Sequence, residues 1–212
     1  MTYLLHIDSS SLLTGSVSRE VGATFQTAWQ KEHPDDTVVY RDLAADPLPH
    51  LTSDAITGRF TSPADRTEGQ AAAIALQDTL IEEFLGASAY LFTVPMYNHS
   101  IPSGFKAWID QVFVNGRTLF PVPDQVPTRG RRAVVVTSRG GGYGPGTPRE
   151  GMDHVIPYLR SVMAGSLGLN LEIITPELTM AHRNPAMAPL RPQAEASRAR
   201  AHEEAEQFAR LA

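Results

Sequence analysis

Three short polar segments of the chain carry residue types that bind a flat, phosphorylated ring. Residues 9–18 are rich in serine and stand directly before an apolar pattern with helical spacing. Residues 95–102 hold a tyrosine ring and a carboxamide between two prolines, and residues 138–146 are rich in glycine. Free N–H groups at the start of a helix bind phosphate, and glycine lets a backbone approach a ligand closely. The three segments therefore indicate a site for a phosphorylated aromatic ligand.

Each segment also has an ordinary structural interpretation. Ser16 has the side chain of a common helix cap, and the prolines around Asn98 stiffen a strand-to-helix connection. A glycine run alone is weak support for a binding site. The interpretation as a ligand site therefore depends on whether the fold brings the three segments together.

Several other kinds of site are missing from the sequence. Residues 9–18 lack the GxxxxGK[ST] pattern of nucleotide hydrolases, and no GxGxxG follows the first predicted strand. Neither the GxSxG element of α/β-hydrolases nor an HExxH zinc pattern occurs, so we expect no metal site. The chain contains no cysteine, which excludes disulfides and thiolate chemistry.

Strand patterns and helix patterns alternate along the chain. Val21, Phe25 and Trp29 recur at helical spacing in a first helix that His33 and Pro34 end. Residues 41–66 form a long excursion with at most a short helix. Short apolar runs predict strands at residues 3–7, 37–40, 89–94, 132–137 and 171–174. Further helices are predicted over about residues 68–85 (ended by Gly86), 103–114, 149–167 and 189–211.

This alternation predicts an α/β fold with a doubly wound, five-stranded parallel sheet in the order 2-1-3-4-5 and helices on both faces. All 212 residues fit a single domain, 1–212. In this order the three polar segments follow central strands and meet at the carboxyl edge of the sheet, where such folds bind ligands. A phosphate loop beside two ring-binding loops points to flavin mononucleotide, FMN.

The composition narrows the possible partners and the compartment. A net charge of −5 gives no electrostatic footprint for nucleic acid. No apolar run reaches the length of a membrane span, and the first residues lack the basic region of a signal peptide. We therefore expect a cytoplasmic protein with no nucleic-acid or membrane partner.

The chain resembles the FMN-dependent NADH-azoreductase and NAD(P)H:quinone oxidoreductase family of flavodoxin-like proteins over nearly its whole length. The resemblance rests on short motifs that agree in order and spacing. They are Ser9-Ser10 with Ser16-Val17-Ser18, His33-Pro34-Asp35-Asp36, Arg41-Asp42-Leu43-Ala44-Ala45-Asp46-Pro47, Pro95-Met96-Tyr97-Asn98, Lys106-Ala107-Trp108-Ile109-Asp110, Ser138-Arg139-Gly140-Gly141 and Pro157-Tyr158-Leu159.

The resemblance implies a flavodoxin-like fold, bound FMN and a homodimer with two sites at the subunit interface. It also implies which residues bind the cofactor. The phosphate would be held by Ser10, Ser16, Val17 and Ser18, and the isoalloxazine ring would be lined by Pro95, Met96, Tyr97, Asn98, His99, Ser138, Arg139, Gly140 and Gly141. Arg139 could balance the charge of an anionic ring.

The implied activity is a two-electron, ping-pong transfer from NADH or NADPH to quinones and azo compounds. We expect no catalytic side chain, because N5 of the flavin is the redox centre. The backbone N–H groups of Asn98 and Gly141 would tune the reduced ring. The acceptor pocket is expected to include Arg59, Phe60, Phe120 and Tyr143, partly from the partner subunit.

Two departures from the family pattern and one alternative function accompany this interpretation. His99 stands where members often carry phenylalanine, and residues 140–146 are unusually rich in glycine.

The alternative is a flavodoxin-like electron carrier or flavin-binding protein without substrate turnover of its own. Such a carrier would usually be more acidic and would lack the long segments 41–66 and 117–124.

Overall fold

The computed structural model describes residues 2–212, which form one parallel sheet of five strands in the order β2-β1-β3-β4-β5. The predicted fold class and strand order are confirmed. The strands are β1 (Tyr3–Asp8), β2 (Thr37–Asp42), β3 (Ala89–Thr93), β4 (Arg132–Val136) and β5 (Asn170–Ile174). Each lies within two residues of its predicted span.

Six α-helices connect and follow the strands. Short 3-10 turns lie at Pro63–Asp65, Pro123–Gln125 and Pro185–Leu190, and a π-helical segment, Arg160–Ser166, continues the fifth α-helix. The α-helices are α1 (Val17–Glu32), α2 (Ser53–Gly58), α3 (Glu68–Gly86), α4 (Ser103–Val112), α5 (Val155–Leu159) and α6 (Arg191–Ala209). No helix in residues 2–212 has both the length and the apolarity to cross a bilayer.

The sheet is covered on both faces, as its continuous apolar strands require. On one face α1 and α6 cover the sheet, and Phe25 and Trp29 of α1 pack against Leu91 of β3 and Val134 of β4. On the other face aromatic residues of β3, α3 and α4 form the core, which includes a Phe92–Phe105 contact at 5.8 Å between ring centroids. Alternate residues of one strand thus serve opposite cores.

Gly86 ends α3 as predicted, whereas the start of α5 differs from the prediction. Gly86 is the last residue of α3 and does not adopt a positive φ; instead the Tyr3 hydroxyl lies 2.6 Å from the position that a Cβ there would take. The helix predicted to begin at residue 149 begins at Val155, where a side-chain oxygen of Asp153 accepts the Val155 N–H at 2.8 Å. Gly151, with φ +80°, turns the chain before that start.

The strand register places the loops that matter at one edge. Asp8 at the end of β1 pairs with Asp42 of β2 and with Thr93 of β3. On the other side of β3, Thr93 pairs with Val136 of β4, which in turn pairs with Ile174 of β5. All five strands therefore end at the same level, and the loops that follow them share the carboxyl edge of the sheet.

Candidate functional site

A cavity of about 260 Å³ opens at this edge. It is lined by parts of the three segments that the sequence singles out. They are Ser10, Leu12, Gly15, Ser16 and Val17 of the first, Pro95, Met96 and Tyr97 of the second, and Ser138 and Gly140 of the third. A fourth segment, residues 179–183 in the loop after β5, closes it. The structure thus brings the serine, proline and glycine loops together around one space.

The serine loop ends in a capped helix start. Ser16 is the N-cap of α1, and its hydroxyl accepts the Arg19 N–H at 3.5 Å. The hydroxyl of Ser18, fully buried, lies 3.2 Å from that of Ser16. The N–H groups of Val17 and Ser18 belong to the first turn and therefore have no partner inside the helix. This arrangement of N–H and hydroxyl donors suits an anion.

A network of charged and polar side chains lies beneath the serine loop. Asp8, which is buried, accepts hydrogen bonds from Thr93 at 2.6 Å, Tyr40 at 2.7 Å and Arg19 at 2.9 Å. Both terminal nitrogens of Arg19 also donate to Asp42, each at 2.7 Å. The guanidinium is therefore shared between two carboxylates at the ends of neighbouring strands.

The network shifts the pKa values of its members. Burial by itself raises the pKa of Asp8, but hydrogen bonds from His6, Thr93 and Tyr40 outweigh it and lower the pKa to about 2. The hydrogen bond from Arg19 likewise lowers the pKa of Asp42. Both carboxylates are thus charged at neutral pH and hold the Arg19 cation in place.

Two contacts carry this support into the loops above. Arg19 donates from Nη2 to the carbonyl of Ser10 at 2.8 Å. The Tyr97 hydroxyl lies 3.2 Å from the Ser10 hydroxyl and accepts the Ser11 N–H at 3.0 Å. Tyr97 therefore connects the serine loop to the proline loop, and Arg19 positions the residue at which they meet.

The proline loop presents its backbone to the edge of the sheet. Tyr97 and Ser100 exchange backbone hydrogen bonds at 2.9 and 3.0 Å, which makes a tight turn. Asn98 and His99 between them have φ values of +49° and +68°, a left-handed conformation that is uncommon for residues with a side chain. The turn therefore pairs the backbone groups of Tyr97 and Ser100, and not the N–H groups of Asn98 and His99.

Several N–H groups of the proline and glycine loops have no acceptor. Among residues 2–212, no group accepts a hydrogen bond from the backbone N–H of Asn98, His99, Gly140 or Gly141. Gly141 is buried and His99 and Gly140 are half-buried, whereas Asn98 is exposed, so water can accept its N–H. Buried N–H groups are nearly always paired, so the unpaired N–H of Gly141 in particular indicates a binding surface. The four N–H groups are the donors expected for the heteroatoms of a flat ring.

The side chain of Arg139 does not have the position expected for it. It is buried and donates to Asp153 at 2.7 Å. A second carboxylate, that of Glu177, lies 4.0 Å from the guanidinium. Burial lowers the pKa of Arg139 from its usual range. Because its charge is balanced inside the protein and the residue does not line the cavity, its guanidinium is not placed to balance a ring there.

The four residues expected in the acceptor pocket do not share one space within the chain. Arg59 and Phe60 border a second cavity of about 470 Å³, next to Arg117. Phe120 lines neither cavity. Tyr143 contacts the edge of the His99 ring, with centroids 5.9 Å apart. Of the four, Tyr143 is the one that touches an expected ring-binding residue of its own chain.

The loop after β5 was missed by the sequence interpretation. Thr179, Met180 and Arg183 line the cavity, and the N–H groups of Thr179 and Met180 donate to the carbonyls of Arg139 and Gly140 at 3.0 and 3.2 Å. The order 2-1-3-4-5 places β5 next to β4, so a loop at this edge follows from the topology alone. The strand order could have predicted that this loop borders the cavity, whereas its residue types could not.

Comparison with known proteins agrees with this geometry. A family model described as "Flavodoxin-like fold" matches residues 2–208. The chain belongs to this flavodoxin-like family. It is 54% identical over 206 residues to an FMN-dependent NADH:quinone oxidoreductase of Streptomyces avermitilis, covering 97% of this chain and 94% of the relative. A Streptomyces coelicolor relative of the same name is 50% identical, covering 97% of this chain and 92% of the relative.

A solved structure extends the comparison to three dimensions. The flavodoxin-like chain superimposes on an azoreductase from Bacillus anthracis str. Sterne with a TM-score of 0.84, 27% identity and full coverage of both chains. The fold is therefore kept although about three residues in four differ.

The cavity of this flavodoxin-like chain is built for binding and not for acid–base chemistry. Its lining residues in the described range 2–212 include hydroxyls, two thioethers, two glycines and one proline, but no carboxylate and no imidazole. Arg183 is the one charged side chain among them. Such a lining holds and orients a group that brings its own reactivity.

Proposed function

We propose that this chain is an FMN-dependent NADH:quinone oxidoreductase. The observation that carries the proposal is the single cavity at which a helix-start anion loop meets two loops with unpaired N–H groups. Family membership and two relatives that bear this name at 50% and 54% identity support it.

The serine loop fits the phosphate of FMN. Ser10, Ser16 and Val17 line the cavity, and the Ser18 hydroxyl lies 3.2 Å from that of Ser16. They supply hydroxyls and N–H groups of the first turn, and the positive end of the α1 macrodipole adds to them. The hydroxyls of Ser10 and Ser18 are buried, so their donors are held in fixed positions before any ligand arrives.

The proline and glycine loops fit the isoalloxazine ring. Pro95, Met96 and Tyr97 line one side of the cavity, and Ser138 and Gly140 line the other. Asn98, His99 and Gly141 continue the same loops outside the lining and would reach the edge of the ring. When bound, FMN supplies the redox chemistry, since its ring takes up a hydride equivalent and gives two electrons to an acceptor. The preformed N–H groups of Asn98 and Gly141 lower the energy of negative charge on the ring.

A ping-pong order is part of this proposal. The reduced dinucleotide, NADH or NADPH, leaves before the acceptor enters the same space beside the ring. Quinones are the proposed acceptors, and azo compounds are a second class suggested by the azoreductase to which the chain is similar.

The acceptor pocket is completed by a second copy of the chain in this proposal. Phe60 is 87% exposed, and Arg59, Phe60 and Phe120 all lie outside the cavity of about 260 Å³ in their own chain. In a homodimer these residues would border the cavity of the partner subunit. Large exposed aromatic side chains of this kind are typical of interfaces. The proposed location is the cytoplasm, where NADH is available.

Anaerobic titration with NADH tests the function. The full chain is loaded with FMN, and the flavin absorbance is followed as NADH is added, with dithionite as a reference reductant. We expect one equivalent of NADH to bleach the flavin directly, and a quinone then to restore the colour. If dithionite bleaches the bound flavin but NADH does not, the chain is an electron carrier and the proposal is wrong. Protein that takes up no FMN contradicts both functions.

A further inference from the structure

Arg183 lies beside the serine loop without an ionic partner. A terminal nitrogen of its guanidinium is 3.3 Å from the position that a Cβ on Gly15 would take, one residue before the Ser16 cap. Among residues 2–212 no carboxylate forms an ion pair with it: Glu177 and Glu195, which border the adjoining cavity, face Arg139 and His182 instead. A free cation is thus placed at the mouth of the anion loop.

The other arginines that the described residues 2–212 place near the serine loop are paired. Arg198, which shares a cavity with Gly15 of this loop, forms an ion pair with Glu20. Arg19 is the one basic side chain in the loop's helix start, but Asp8 and Asp42 together place two negative charges against that guanidinium. The network as a whole is therefore not positive. A phosphate monoester carries close to two negative charges at neutral pH, so the helix dipole and neutral hydroxyls leave it incompletely balanced.

The turn that carries Arg183 is fixed and not a loose loop. The N–H groups of Arg183 and Asn184 both donate to the carbonyl of Met180, at 3.0 and 2.8 Å. The N–H of Met180 in turn donates to Gly140 of the glycine loop. The side chain of Arg191 donates to the carbonyl of Ala181 at 3.2 Å. Hydrogen bonds within its own turn and to the glycine loop therefore fix the backbone at Arg183.

We propose that Arg183 is a cofactor-binding residue, which closes over the 5′-phosphate of FMN from the loop after β5 and supplies the cation that the serine loop lacks. This inference rests on the proposed function and adds a residue to its site. Arginine suits the role because its planar fork of N–H donors matches phosphate oxygens in pairs. Gly15, with φ +68° and no side chain, leaves room for the approach.

Flavin binding with and without the phosphate tests the proposal. The flavin is removed from the full chain, and FMN and riboflavin are titrated by fluorescence quenching into wild type, Arg183→Gln, Arg183→Lys and Arg200→Gln. Arg200, an exposed residue of α6 outside the cavity, is the matched control for loss of one positive charge.

We expect Arg183→Gln to raise the Kd for FMN about tenfold, the ratio that corresponds to one lost charge-assisted hydrogen bond, and to leave the Kd for riboflavin unchanged. Arg183→Lys should recover part of the loss, and the effect should shrink as salt rises. Arg200→Gln should bind both flavins as wild type does.

Three results would overturn the assignment while leaving the proposed function intact. One is an unchanged Kd for FMN in Arg183→Gln, and another is an equal loss for FMN and riboflavin. The third concerns NADPH, which also carries a phosphate monoester: a rise in KM for NADPH but not NADH, with FMN binding unchanged, would assign Arg183 to the dinucleotide. Wild-type protein that binds neither flavin would instead contradict the proposed function itself.

Discussion

The phosphate end of the candidate site is supported by charged side chains, whereas the ring end is supported by backbone hydrogen bonds. Beneath the serine loop, Arg19 joins Asp8, Asp42 and the carbonyl of Ser10 at distances of 2.7 to 2.9 Å. At the ring end, the Met96 N–H donates to Ser138 at 2.9 Å, and the loop after β5 donates to residues 139–141.

This difference suits the two parts of the proposed ligand. A phosphate is compact and charged, so its loop needs a fixed position and a field that the charges beneath it control. A flat ring needs a row of donors along its edge, which a backbone supplies without depending on side-chain identity. We therefore expect side-chain substitutions to disturb the phosphate end strongly and the ring end weakly, unless they change the backbone.

Removing the cation of the network should have the largest effect. Arg19→Gln leaves the carboxylates of Asp8 and Asp42 close together without a guanidinium between them. Breaking a largely buried ion pair on one side costs about 3 kcal/mol, so we expect the free energy of unfolding in urea to fall by that amount. The Kd for FMN should also rise, because Ser10 loses the donor that positions its carbonyl.

Arg117→Gln is the control for that variant. Arg117 pairs with Asp78 at 2.6 Å, but their side chains are 40% and 42% exposed. Exposed pairs contribute less than about 1 kcal/mol, so this variant should unfold nearly as wild type does. Equal losses for the two variants would show that the network under the serine loop does not have the supporting role assigned to it.

Acid should lower the free energy of unfolding, because it protonates Asp8 beneath the serine loop. The pKa of Asp8 is lowered from 3.8 to about 2 in the folded chain, so the unfolded chain binds a proton first as the pH falls. The stabilisation is therefore complete above about pH 5, declines as the pH falls through 4 and is lost near 2; it amounts to roughly 2 kcal/mol. Urea unfolding of wild type and Asp8→Asn at pH 6 and pH 2.5 measures it.

The comparison between the two proteins isolates the Asp8 contribution, because Asp42 and the other acids are present in both. We expect the wild type to lose about 1.5 kcal/mol more than Asp8→Asn over this range, because part of the stabilisation remains at pH 2.5. An equal acid sensitivity of the two would mean that Asp8 keeps an ordinary pKa in the fold.

The sequence predicted the frame of the site better than its supports. Strands such as Arg132–Val136 are short apolar runs with β-branched residues, and alternation with helices leaves few possible sheet orders. The edge that the loops after β1, β3 and β4 share could therefore be predicted. These features depend on local pattern and on topology. The order that they predicted is the order in the structure.

Side-chain direction was not predictable in the same way. Arg139 follows a central strand and was expected to face a ligand, but Asp153, fourteen positions further along, holds it inside the protein. The pairing of Arg19 with Asp8 and Asp42 likewise joins residues from two strands and a helix. Such contacts depend on tertiary packing, which neither spacing nor composition reports.

The smallest expected effect on stability is at Asn98, where the ring end can be tested. Asn98 has φ +49°, and its carboxamide makes no hydrogen bond within residues 2–212. Alanine in this left-handed conformation costs about 1 kcal/mol, so Asn98→Ala should shift the turn and its N–H groups. We expect FMN to be retained through the serine loop, while kcat falls about tenfold because the donors to the ring are displaced.

Asn98→Gly separates the backbone from the carboxamide. Glycine adopts a positive φ without strain, so this variant removes the same side chain but keeps the turn. Wild-type turnover in Asn98→Gly together with slow turnover in Asn98→Ala would assign the effect to the backbone, as the contrast between the two ends requires. Equal losses in both would assign it to the carboxamide. Loss of FMN from both variants would show that the ring end, and not the serine loop, supplies most of the binding.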